Sequence, residues 1–185
     1  MSAPLSREQH LLISAIGKNA SALALQLCRA CQDSRCSIIS SHLTQHGEHS
    51  ALVIQAGGSW DALARLESAL EALSSRHDIT LSQVRTGASN ATEAALPYIV
   101  YVSALHQPDT LSELCQFFCD HGLAVTNITY DSYLAPQTGA RMLNATISIS
   151  LPVNTQISWL RDQFLDFADQ LNLDALIEPW RPQSP

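Results

Sequence analysis

The side chains with the most capacity for chemistry are five cysteines and seven histidines. Cys28, Cys31 and Cys36 are followed by His42, His46 and His49, a run of thiols and imidazoles of the kind that holds zinc or another soft or borderline metal. A further pair, Cys115 and Cys119, lies four residues apart, which on a helix sets two thiols on neighbouring positions and raises a redox or thiol-dependent reading. A catalytic thiol needs a base and a group to orient it, and the sequence offers neither in a recognisable pattern. It has no Gly-x-Ser-x-Gly elbow, no Gly-rich phosphate loop, no His-Glu-x-x-His and no nucleotide fingerprint.

An internal repeat weighs between these readings. The pattern from Leu11 to Ile38 recurs 87 residues later: Ala24, Leu27, Cys28 and Cys31 form a helical stripe, and Leu111, Leu114, Cys115 and Phe118 form the same one. Cys31 corresponds to Phe118 and Cys36 to Leu123, so the first cysteine cluster fills slots that the other copy gives to hydrophobes. Buried cysteine behaves as a small apolar residue, so core packing is expected, with no metal and no cofactor. Cys119 matches Gln32 and is the thiol expected to be exposed.

The elements that carry these residues follow from periodicity and turn chemistry. In the first half, strands are expected over 10–16, 37–45 and 49–56, and a fourth over 79–84. Helices are expected over 21–33 and from Trp60, the second capped by Ser59 after Gly57-Gly58. In the second half, strands over 97–105, 123–134, 142–150 and 173–177 alternate with helices over 109–120 and through Ile157, Leu160, Phe164 and Leu171. Pro136 to Gly139 lengthen one hairpin relative to Gly47-Glu48. Each half reads βαββαβ, which predicts an α+β protein of two ferredoxin-like domains, each an antiparallel sheet with both helices on one face. The expected division is residues 1–87, a linker over 88–96, and residues 97–185. Trp60 and Trp159 are expected to pack on the sheet or linker, and Trp180 to meet another molecule.

Charge narrows the partners. Residues 1–90 carry seven Lys/Arg and seven Asp/Glu, whereas 91–185 carry three against ten. Such a second half repels phosphate backbones, so no direct nucleic-acid binding is expected, while a basic protein partner would be attracted. No apolar run approaches the roughly 18–20 residues that span a bilayer, and Met1 to His10 lacks the pattern of a signal peptide, which places the protein in the cytoplasm away from membranes.

The layout resembles the ACT-domain family of small-molecule-binding regulatory modules. The residues that carry the resemblance are Ile13-Ser14-Ala15-Ile16-Gly17 entering the first helix, and Gly58-Ser59-Trp60-Asp61-Ala62 with Glu67-Ser68-Ala69-Leu70 in the second. The tandem arrangement is similar to members that repress transcription of glycine cleavage genes. The resemblance implies a non-enzymatic regulator acting through a LysR-type transcription activator, with glycine or another amino acid as signal, and modules that pair, a homodimer being one form. The alternative it implies is an amino-acid-sensing regulatory subunit of a metabolic enzyme.

In that family an Asp-Arg-Pro-Gly turn after the first strand and an Asn early in the second frame the ligand. A turn opening a helix aims unpaired N–H groups at a carboxylate. Here the matching positions are Asn19, Ala20, Ser21 and Ser37 in one half and His106, Gln107, Pro108 and Asp109 in the other, with Ala124 at the second Asn position. Both turns depart from the motif. The Asp109 carboxylate stands where Gly is usual and would oppose a ligand carboxylate, though Asp can also cap its own helix. The same eight residues have a plainer use as helix caps and turns.

Overall fold

Leu11, Ile13 and Ala15 are buried while Leu12, Ser14 and Ile16 are exposed, the alternation of a strand that lays one face on a core. The computed structural model describes residues 9–76, 78–87 and 95–181. The chain divides into two compact units, Met1–Asn90 and Ala91–Pro185. The first contains β1 (Gln9–Lys18), α1 (Ala20–Asp33), β2 (Ser37–His46), β3 (His49–Gly58), α2 (Trp60–Arg76) and β4 (Ile79–Thr86). The second contains β5 (Ala95–Leu105), α3 (Thr110–Asp120), β6 (Ala124–Leu134), β7 (Arg141–Pro152), α4 (Ile157–Gln170) and β8 (Asp174–Pro179). Of the linker expected over 88–96, residues 88–94 lie outside the described residues, and Ala95 and Leu96 belong to β5.

Each unit is a four-stranded antiparallel sheet, ordered β2-β3-β1-β4 in one and β6-β7-β5-β8 in the other. This is the ferredoxin-like α+β fold that the element order predicts. The repeat extends to irregularities. The β2–β3 register slips between Ile38 and Ser40, and the β6–β7 register slips between Val125 and Asn127, 87 residues on. A bulge in the same place twice is a built feature of the fold rather than a defect.

The helices face one side of each sheet. In α1 the buried residues are Leu23, Leu27, Ala30 and Cys31. The stripe expected from Ala24 and Cys28 is therefore rotated, with Cys28 exposed and Ala24 half-buried. In α3 the buried set is Thr110, Leu114, Phe117 and Phe118, leaving Leu111 and Cys115 half-buried. The second core is aromatic where the first is aliphatic. Phe164 of α4 lies 5.4 Å from Phe117 and 6.0 Å from Phe118 between ring centroids, against Leu63, Leu66 and Leu70 of α2 in the first.

Turn chemistry sets the connections. Ser59 caps α2, its Oγ accepting the Ala62 N–H at 3.2 Å. Gly47, with φ +60°, allows a two-residue turn between paired His46 and His49. The longer β6–β7 hairpin closes through Ala135 N–H to the Ala140 carbonyl and Gly139 N–H to the Ala135 carbonyl, both 2.8 Å. Among the described residues no helix is long and apolar enough to cross a membrane.

Candidate functional site

Asn19 joins β1 to α1 with φ 61° and ψ 86°, a left-handed conformation that asparagine tolerates better than most residues. Its Oδ1 accepts the Ala22 N–H at 3.2 Å, and its carbonyl accepts the Leu23 N–H at 3.0 Å. Among the described residues the Ala20 and Ser21 amides have no acceptor, so two N–H groups remain at the helix start for a carboxylate or water. Asn19 and Ser21 are exposed and Ala20 is half-buried, so the turn is open to solvent.

The second turn is built differently. The His106 N–H donates to the Arg141 carbonyl at 2.9 Å, and the imidazole meets the Tyr130 ring edge-on at 6.5 Å. Thr110 N–H reaches the Gln107 carbonyl at 3.4 Å, and the Asp109 carbonyl accepts from Glu113 N–H at 3.0 Å and Ser112 Oγ at 2.7 Å. Pro108 has no N–H to offer. The Asp109 side chain makes no capping bond, so its exposed carboxylate adds negative charge at the helix start without satisfying an amide there.

Strand order separates the remaining position. Ser37 opens β2, where it is paired with Gly57, and its Oγ donates to the Gly57 carbonyl at 3.2 Å. Gly57 in turn pairs with His10 at the beginning of β1, whereas Asn19 follows the end of β1. Nine residues of strand separate the two ends, about 30 Å. Asn19, Ala20 and Ser21 are thus one cluster, and Ser37 stands at the opposite end of the same sheet. Ala124 and the 106–109 turn are related in the same way, because Ala124 pairs with Ser150, which pairs with Pro97 at the start of β5.

The thiols do not assemble a reactive centre. Burial, reinforced by the neighbouring Cys36 and Cys28, pushes the Cys31 thiol up to about 11, and burial also raises Cys36. Burial thus disfavours the thiolate form of both. Cys119 is exposed, as its match to Gln32 suggested. Among the described residues no three His, Cys, Asp or Glu side chains come together as a metal site.

Sequence reasoning missed the surroundings of Arg85. Arg85 grips Glu67 with two hydrogen bonds of 2.7 Å, reaches Gln9 Oε1 at 3.3 Å, and lies 5.4 Å from the Trp60 ring. Trp60 and Trp159 are more than half exposed, contrary to the packed positions expected of them. The reason is local: each lies on the outer face of its first helical turn, while Ala62 and Leu63 in one and Leu160 in the other turn to the core. Trp180 is half exposed at the end of β8, its N–H bonded to the Pro97 carbonyl at 2.9 Å.

Residues 9–83, nearly all of the described first unit, match the family model of the ACT domain. The first unit thus resembles an ACT domain over nearly its whole length. The second repeats its strand order, its bulge and its helix placement, so the chain is a tandem of two ferredoxin-like units. Over 173 residues the chain is 22% identical to the glycine cleavage system transcriptional repressor of Escherichia coli (strain K12), a match covering 94% of this chain and 91% of that protein. The Shigella flexneri protein of the same name matches to the same extent. A crystal structure described as a candidate glycine cleavage system transcriptional repressor superposes with a TM-score of 0.72 at 20% identity, covering 95% of this chain and 99% of the other. An unknown protein from Galdieria sulphuraria gives the same TM-score at 14% identity, over 94% and 99%. At these identities the two structures speak to the fold, and both contain the whole tandem. The curated relatives carry the name of a regulator, not of an enzyme.

Proposed function

We propose that this tandem ACT protein is a non-enzymatic cytoplasmic regulator that represses glycine cleavage genes through a protein partner, a LysR-type activator, with glycine as the antagonising signal. The observation that carries the proposal is the length of the match. It runs through both units and covers nine-tenths of the repressor, rather than a single shared module. The acidic second half, with three basic against ten acidic residues, supports an indirect mechanism, since it disfavours phosphate backbones and suits a basic protein surface.

The Asn19-Ala20-Ser21 turn is the position proposed for the amino-acid carboxylate, on the two free amides at the start of α1. His106, Gln107, Pro108 and Asp109 form the corresponding turn of the second unit, where Asp109 disfavours a carboxylate and the His106–Tyr130 contact offers a different lining. Ser37 is the position proposed to face a ligand held by another module, since it lies too far from Asn19 to share one with it. A ligand can change repression only if it binds the partner-free and partner-bound arrangements unequally.

Deletion of the gene tests the reading. Glycine cleavage transcripts are expected to rise in glycine-free medium and to lose most of their response to added glycine. Unchanged transcripts in both media would overturn it and favour the regulatory subunit of a metabolic enzyme.

A further inference from the structure

The sheet of the second unit has a face turned away from α3 and α4, and its register sets four polar residues in one row across it. Asp131 pairs with Asn144, Asn144 with Ser103, and Ser103 with Asp174. Residues directly opposite one another on adjacent strands share a face. Their neighbours Val102, Leu143 and Ala145 are buried under the helices, so the row points outward. Three strand spacings put about 14 Å between the backbones of its two carboxylates.

A hollow of about 420 Å³ covers the Asp174 end of the row, lined by Tyr101, Ser103, Asn144, Thr146, Asp174 and Leu176. That volume is in the range of small-molecule sites. Its chemistry is specific in sign: one carboxylate, one amide, three hydroxyls, and no basic side chain. An ammonium group has three donors and no acceptor, and Asp174, Ser103 and Asn144 offer three acceptors on adjacent strands. Tyr101 and Leu176, in the next row, supply an aromatic ring and an apolar wall for an aliphatic stem. A free amino acid suits the hollow poorly, because no cation there balances its carboxylate.

The repeat provides an internal control. The matching row of the first unit, set by the same register, is Thr44, Ala51, Ile16 and Thr80. The same fold therefore forms without the two carboxylates, the amide or the serine, and the polar row is not a requirement of the sheet.

We propose that the outer face of the second sheet binds a flexible aliphatic polyamine, one terminal ammonium on Asp174 beside Ser103 and Asn144, the other reaching Asp131 across the row. This site is separate from the helix-start turns and does not depend on the transcriptional reading. Calorimetric titration of the full chain with spermidine tests it, with butylamine as the single-ammonium control. One equivalent of spermidine is expected to bind about tenfold more tightly than butylamine. Asp174→Asn should weaken spermidine by at least about tenfold, while Asp131→Asn should reduce spermidine to the butylamine level and leave butylamine unchanged. Asp61→Asn and Asp162→Asn, outside the row, should change nothing, and unfolding midpoints should confirm that all four variants fold. The proposal is overturned if the outside variants weaken binding equally, if several equivalents bind as counter-ions, or if spermidine does not saturate. A preference for the peptide Lys-Gly-Gly-Lys over spermidine would also overturn it, moving the row to a partner's lysines.

Discussion

Arg35 and Gly122 stand 87 residues apart and end their helices in the same left-handed conformation, with φ of 60° and 64°. The chain must reverse at this point to bring β2 and β6 back along the sheet, and glycine does so without steric cost. Arginine does not: a left-handed residue with a Cβ costs about 1–2 kcal/mol, part of which glycine returns through its freer unfolded chain. Arg35→Gly is therefore expected to stabilise the protein by about 0.5–1 kcal/mol in urea unfolding, and Gly122→Ala to destabilise it by about 1 kcal/mol. A Cβ at Gly122 meets nothing within 4 Å, so the second effect measures backbone conformation alone.

Cys31 predicts an alkaline limb. Its thiol is pushed from 9.0 up to about 11 in the folded protein, so the folded state keeps a proton that the unfolded chain gives up. That contribution is complete below pH 9 and lost as the pH rises towards 11, a span worth about 3 kcal/mol. Unfolding midpoints measured from pH 8 to 11 should fall, and Cys31→Ala, less stable at neutral pH, should lose most of this slope. Thiol alkylation of the native protein should modify Cys28 and Cys119 well before Cys31.

Glu67 predicts an acid limb of opposite sign. Hydrogen bonds from Arg85, aided by its charge, hold the Glu67 carboxyl below the ordinary carboxylate range despite partial desolvation. The resulting stability is present above the unfolded carboxylate value and lost as pH falls through the lowered one. Solvent and salt screen the pair, so its contribution is small. Glu67→Gln should lower the urea midpoint slightly at pH 7, and the difference from wild type should vanish in acid and shrink in concentrated salt.

Phe164 tests the aromatic core. It is fully buried between Phe117 and Phe118, so Phe164→Ala should cost about 3–5 kcal/mol, while Phe164→Leu should cost distinctly less. Denaturant unfolding of the two variants provides the comparison.

The fold was legible because its signals are local and occur twice. The apolar run opening at Leu11, the Ser59 cap and the Gly47 turn each act over a few residues, and the 87-residue repeat cross-checks them. The helix stripes were less so: Leu23 and Ala30 are buried while Ala24 packs only partly on the core and Cys28 is exposed, because a small rotation of α1 is decided by packing against the sheet. The relation of Ser37 to Asn19 was not legible at all. Both lie near helix ends in sequence, and only the insertion of β3 between β1 and β2 shows them at opposite ends of the sheet. The grip of Arg85 on Glu67 and the row from Asp131 to Asp174 were hidden for the same reason. Each brings together residues 13 or more apart on different elements, which local spacing does not encode.

The most direct test of the regulatory claim is affinity capture from the native cytoplasm with the tagged full chain as bait, in the presence and absence of glycine, identifying retained proteins by mass spectrometry. The prediction is recovery of a LysR-type DNA-binding activator that glycine releases, with release abolished in a variant whose Asn19-Ala20-Ser21 turn is altered. Recovery of a metabolic enzyme in its place, or of no activator in either condition, would contradict it.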